Sequence, residues 1–113
     1  MNYISFEYPF VSLCFLLVAW HMIADYPLQS DFIATAKNRN TELGKLYWMR
    51  VLPAHSFIHG FGVMLITGNV WLGIFETCVH FIVDLLKCDN RITLNQDQFL
   101  HLFTKACIVF LAA

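Results

Sequence analysis

Apolar positions along this chain gather into four long runs separated by polar connections. The first run extends from Pro9 to Tyr26 and is stopped by Pro27. Pro9 suits a first helical turn, whereas Pro27 would lose a helix hydrogen bond and clash with the turn before it. The second run covers Pro53 to Thr67, and Gly68-Asn69 is a turn signal behind it. The third goes from Val70 to Leu86, stopped by Lys87, and the fourth from Asp97 to Ala112. The pattern predicts helices over 9–26, 53–67, 70–87 and 97–112. Each is slightly short of the roughly 20 residues that span a bilayer, and polar ends, tilt or local thinning can make up the difference.

The stretch Leu28–Leu52 is mixed and holds most of the charge. Ser30 can cap a short helix through Lys37, and Thr41 another through Val51. Leu46-Tyr47-Trp48-Met49-Arg50 combines aromatics with a cation, as interfacial segments do. The expected fold is therefore all-α and a single domain over 1–113. It is an integral membrane four-helix up-down bundle with a long, partly helical interfacial loop between its first and second helices.

Composition strengthens the membrane reading. Hydrophobic residues make up 58% and charged residues 13%, with a mean hydropathy of +0.59. A soluble domain has about 45–50% and about 25%. The net charge of -1 excludes a basic nucleic-acid-binding surface. The N-terminal stretch carries Glu7 and no Lys or Arg, so the first run reads as a retained membrane helix rather than a signal peptide. The cysteines, Cys14, Cys78, Cys88 and Cys107, form no C-x-x-C pair and read as small buried hydrophobes rather than a disulfide framework.

Candidate chemistry lies in the polar residues of the apolar runs. All five histidines fall into four pairs of one spacing: His21/Asp25, His55/His59, His80/Asp84 and Asp97/His101. Residues four apart share a helix face. Each helix thus offers two metal-type ligands on one stripe. A lone membrane histidine is usually a hydrogen-bonded packing residue, but four such pairs, one per helix, favour a shared metal site. The pairs lie alternately at the C-terminal and N-terminal ends of successive helices, which an up-down bundle brings to one side. Six of the seven basic residues, all but Lys105, fall in the two connections on that side. Lys and Arg favour the cytoplasmic side, so the cluster should face the cytoplasm and both termini should lie outside. Lys37, Arg39, Lys87 and Arg91 could hold an anionic group there. Glu76 and Lys105 each lie one turn deeper than the cluster, where an ion pair is the simple expectation and a catalytic or proton-relay Glu76 the sharper one.

Five imidazoles and three carboxylates exceed the needs of one tetrahedral zinc and could serve one or two divalent ions. Nitrogen and oxygen donors suit zinc, manganese or iron. A two-metal site acidifies bound water and clamps an oxyanion, which suits hydrolysis of phosphate or acyl esters.

The strings His21-Met-Ile-Ala-Asp25-Tyr-Pro-Leu-Gln29-Ser-Asp31, Lys37-Asn-Arg-Asn40, His55-Ser-Phe-Ile-His59-Gly60, His80-Phe-Ile-Val-Asp84-Leu-Leu-Lys87 and Asp97-Gln98-Phe-Leu-His101 resemble the domain-of-unknown-function family 3307. That family comprises small bacterial and phage membrane proteins. The resemblance implies a multi-pass protein of a prokaryotic inner membrane and brings no established activity. A weaker similarity, chiefly the paired histidines, connects it with membrane-bound metal-dependent hydrolases.

The leading expectation is a membrane-embedded metal-dependent hydrolase acting at the cytoplasmic face on a phosphate- or ester-containing, lipid-linked substrate. His21, Asp25, His55, His59, His80, Asp84, Asp97 and His101 are the expected metal ligands. His80, Asp84, Lys87 and Glu76 are the expected catalytic residues, with Lys87 steadying the substrate's anionic part. The alternatives are a non-enzymatic metal-binding or transport protein, a modulator of a phage or host membrane complex, and a di-iron membrane oxygenase. Expected partners are the lipid bilayer, a lipid or lipid-linked substrate and further copies of the chain, and no nucleic acid.

Overall fold

The structure, a computed structural model, describes residues 7–112. The expected placement of both termini falls on residues 1–6 and 113, outside the described residues. The described chain is all-α, with five helices: α1 (Pro9–Asp25), α2 (Asp31–Ala36), α3 (Glu42–Thr67), α4 (Val70–Cys88) and α5 (Leu94–Ala112).

Local chemistry places most of the helix ends. Pro9 opens α1, and the backbone leaves the helix at Tyr26 just before Pro27. Ser30 Oγ accepts from Ile33 N at 3.2 Å to cap α2, and Thr41 Oγ1 accepts from Gly44 N at 2.8 Å to cap α3. α3 ends on Gly68, whose φ of 70° places it in the left-handed region that glycine enters without strain. Asn69 Oδ1 then accepts from Trp71 N and Leu72 N to start α4.

Two boundaries differ from the sequence expectation. α3 does not begin at Pro53 but runs unbroken through it, so the two predicted segments Thr41–Val51 and 53–67 are one 26-residue helix. Proline removes a single N–H from the helical ladder, and the Thr41 cap and the packing of α2 hold the first half of α3 in place. α5 begins at Leu94 rather than Asp97. Thr93 and Gln96 form a reciprocal cap there: Thr93 N donates to Gln96 Oε1 at 2.9 Å, and Gln96 N donates to Thr93 Oγ1 at 3.1 Å.

The four long helices close a ring in which α1 touches α3 and α5, and α4 touches α3 and α5; α2 lies against α3. The closest approach is between α3 and α4. A Cβ on Gly60 would overlap the Thr77 side chain and the Gly73 carbonyl, and one on Gly73 would meet the Gly60 carbonyl and Met64.

The interior is unusually polar. Among the described residues, ten hydrophobic residues are buried against thirteen polar or charged ones. Ser56, Thr67 and Thr104 return their hydroxyls to carbonyls four residues back, each at 2.8 Å. The other buried polar residues form layers. Leu17, Val63, Leu72, Ile108 and Val109 make an apolar plug. One turn nearer the α2 side lies the Glu76–Lys105 level, and beyond it the histidines. Large apolar side chains, by contrast, cover much of the outer surface, Trp71, Phe15, Phe110 and Leu46 among the most exposed of them. By length and composition one helix, α3, suffices to cross a membrane, and α1 is apolar over 17 residues.

Candidate metal centre

The i,i+4 stripes of four helices meet inside the ring. α1 supplies His21 and Asp25, α3 His55 and His59, α4 Glu76, His80 and Asp84, and α5 Asp97 and His101. All five imidazoles are buried. The His59 and His80 rings stack at 3.7 Å between centroids and those of His80 and His101 at 4.3 Å, while His55 lies 4.9 Å from His59 and 5.1 Å from His80. His21 is 5.3 Å from both His59 and His101. All four pairs anticipated from the sequence are therefore brought together in one cluster.

Asp25 is the hub of that cluster. Its Oδ1 lies 2.8 Å from His59 Nε2 and 3.2 Å from His55 Nε2, and its Oδ2 lies 3.2 Å from His21 Nε2. Two sets of possible metal donors emerge, each with its ligand atoms within 4.8 Å of one another: Asp25, His55, His59 and His80, and Glu76, His80 and His101. His80 belongs to both. Its Nδ1 stands 3.8 Å from Glu76 Oε1, and its Nε2 stands 3.7 Å from Asp84 Oδ2.

The donor chemistry fits a metal ion. Seven buried ring nitrogens, among them both nitrogens of His55 and of His80, have no hydrogen-bond partner among the described residues. A buried polar atom left unpaired is costly, and here the unpaired atoms crowd one another and an array of carboxylates. A cation at their common point would satisfy several at once, using the imidazole and carboxylate donors that zinc, manganese and iron accept.

The remaining expected site residues stand around this core. Asp84 lies at its edge, accepting from Lys37 Nζ at 2.7 Å, with Lys87 Nζ 3.7 Å away. Asp97 Oδ1 is 3.2 Å from His101 Nε2, outside the two tight sets. Glu76 Oε1 accepts from Lys105 Nζ at 2.5 Å, so the simple expectation for that pair is met. Arg39 is not directed at the cluster: it pairs with Asp89 and lies over the Trp48 ring at 5.3 Å. Together with the Asn40 amide it holds the Asp89 carboxyl below its usual range, the Arg39 hydrogen bonds being the larger cause. The other loop polars act locally, Asn38 Oδ1 accepting from Asn40 N and Gln29 Nε2 donating to the Asp25 carbonyl.

Two functional contacts were not anticipated from the sequence. Lys37 is buried as the partner of Asp84, 47 residues away, and nothing local to either residue announces that pairing. Gln98 bridges α1 and α5: its Oε1 is 3.2 Å from His21 Nε2, and its Nε2 donates to Asp97 Oδ2 at 2.9 Å. The signal for Gln98 was its position beside Asp97, because consecutive polar residues on a helix point about 100° apart and one of them can face a second neighbour.

A cavity of about 200 Å³ leads from the cluster toward the α2 side; Asp25, Gln29, Lys37, Asp84, Lys87 and Gln98 are among its walls, and His80 and His101 reach its floor. Fold and site together define an all-α bundle with a buried histidine–carboxylate centre able to hold a metal ion. The chain belongs to the protein family of unknown function DUF3307, whose model matches residues 13–113. Comparison with curated proteins and with solved structures finds no match.

Proposed function

We propose that this chain is a multi-pass membrane protein and a metal-dependent hydrolase, acting at the cytoplasmic face on a phosphate- or ester-containing, lipid-linked substrate. The observation that carries the chemistry is the convergence of five buried imidazoles and their unpaired nitrogens on Asp25 and Glu76. The membrane location is supported by the charges buried inside the bundle and the many large apolar side chains exposed outside it. α4 and α5 are lowered in hydropathy by Glu76, Asp84, Asp97 and Lys105, all of which point inward and are buried. Intramembrane charges of this kind face the bundle interior and mark function.

Asp25, His55, His59 and His80 would hold the ion, with His21, His101 and Glu76 beside it. Such an ion acidifies water and polarises a phosphoryl or acyl oxygen. The protein's own residues supply the rest. Lys37 orients Asp84 at the cavity wall, where its carboxylate can act as a base. Lys87, partly exposed at the mouth, can pair with an anionic headgroup. Gln98 and Asp97 fix the imidazoles of His21 and His101. The apolar plug argues against a carrier, because it closes the bundle beyond Lys105 with no polar path among the described residues.

The test is elemental analysis of detergent-purified protein together with hydrolysis assays on phospholipids and prenyl phosphates. Stoichiometric metal and turnover are expected, both lost in His59→Ala. Protein without transition metal, prepared free of chelators, would reject the hydrolase reading.

A further inference from the structure

The charge balance of the interior bears on how many ions the centre takes, and this inference rests on the metal reading above. Among the described residues, four carboxylates line the interior, those of Asp25, Glu76, Asp84 and Asp97, against two buried ammonium groups, Lys37 and Lys105. Each ammonium is committed. Lys37 bonds Asp84 at 2.7 Å and Lys105 bonds Glu76 at 2.5 Å. Lys87 approaches Asp84 only from the mouth, at 3.7 Å, with its side chain 28% exposed. Asp25 and Asp97 have no ammonium group at hydrogen-bond distance among the described residues and face the imidazoles and the Gln98 amide. Two uncompensated negative charges in a low-dielectric interior match one divalent cation.

The two donor sets are not equivalent in this respect. The set of Asp25, His55, His59 and His80 contains no fixed cation. In the set of Glu76, His80 and His101, the ammonium of Lys105 already sits on the carboxylate oxygen that is 3.8 Å from His80 Nδ1. We propose that the centre takes one divalent ion, in the Asp25 set, and that the Lys105 ammonium stands in the second set as a built-in cation that keeps a second ion out. The second set is then a latent metal site. It has two imidazoles and a carboxylate with one oxygen, Oε2, unpaired among the described residues, and removing the ammonium opens it.

The experiment is titration of metal-free, full-length protein in detergent micelles with Co²⁺, read by visible absorption and by bound metal per chain. Wild type should saturate at one equivalent. Lys105→Met, which keeps the length of the side chain and drops the charge, should bind a second equivalent. Lys105→Arg should stay at one, and the charge-neutral double variant Glu76→Gln/Lys105→Met should also stay at one. Two equivalents in wild type, or one in Lys105→Met, would overturn the role given to Lys105 and leave the metal centre standing. No binding by wild type would instead remove the metal reading itself. If Lys105→Met does not accumulate, the wild-type count still decides, together with the double variant, in which a second equivalent would locate the extra site away from Glu76.

Discussion

At the residue scale, the deepest charges are the most exacting. Glu76 is 0% exposed and Lys105 3%, and each is the other's only charged hydrogen-bond partner among the described residues. Breaking such a pair from one side strands a charge, at a cost of about 3–5 kcal/mol, whereas removing both charges can be nearly neutral. In metal-free protein, Glu76→Gln should therefore lower the unfolding midpoint more than Glu76→Gln/Lys105→Met does. Equilibrium unfolding in mixed micelles would read the difference, and additive effects of the two substitutions would show that the pair is not coupled. Asp25 has another kind of importance. It contacts three imidazoles from two helices, so Asp25→Asn should reduce bound metal more than Asp97→Asn, which lies outside the tight donor sets. Elemental analysis of the two variants side by side checks the ranking.

At the scale of elements, the α3–α4 contact sets the geometry of the centre, because it carries His55 and His59 against His80. Gly60 and Gly73 let the two backbones touch. Gly73→Leu should force the helices apart, lower the melting temperature and weaken metal binding together, while Ile74→Leu, one position along on the exposed side, should change neither. Thermal unfolding followed by circular dichroism, with metal content measured in parallel, would show it. The connection between α2 and α3 is tied to the end of α4 by Arg39, Asn40 and Asp89. The folded-state pKa of Asp89 is depressed, so the tie is fully present above the ordinary carboxylate pKa and is lost as the pH falls through the lower, folded value. Protection against amide exchange at residues 38–41, taken relative to the intrinsic rate at each pH, should fall on acidification in wild type and be low at every pH in Asp89→Asn.

At the scale of the whole molecule, polarity is layered along the bundle axis. The basic connections, the histidine cluster, the Glu76–Lys105 level and the apolar plug follow one another along it. This asymmetry supports the proposed orientation, with the segment Leu28–Leu52 on the cytoplasmic side and the Gly68-Asn69 turn outside. In a background with the four native cysteines replaced, Glu42→Cys should react with a membrane-impermeant maleimide only after the cells are opened. Asn69→Cys should react in intact cells. The opposite pattern would invert the protein in the membrane while leaving the cluster intact.

Much of this arrangement was legible in the residue pattern. A polar residue within an apolar helix must face the interior, so spacing alone placed His21, Asp25, His55, His59, His80, Asp84, Asp97 and His101 on inward stripes, and the up-down order brought those stripes to one level. The depth of Glu76 and Lys105 followed from the same four-residue step. The start of α5 was written in Thr93 and Gln96, although the long polar stretch before Asp97 hid it. What the pattern could not carry was the choice among partners once the stripes met. Whether Lys37 turns outward to an anion or inward to Asp84, and whether Arg39 serves the centre or Asp89, depends on distances between elements far apart in the chain. The unbroken course of α3 through Pro53 belongs with these. Proline's local penalty is legible in sequence, but the packing of α2 against α3 that outweighs it exists only after the helices assemble. Sequence determined which side chains would be buried together, because burial follows periodicity. Tertiary structure decided which of them pair, because pairing depends on ångström-scale distances that periodicity does not contain.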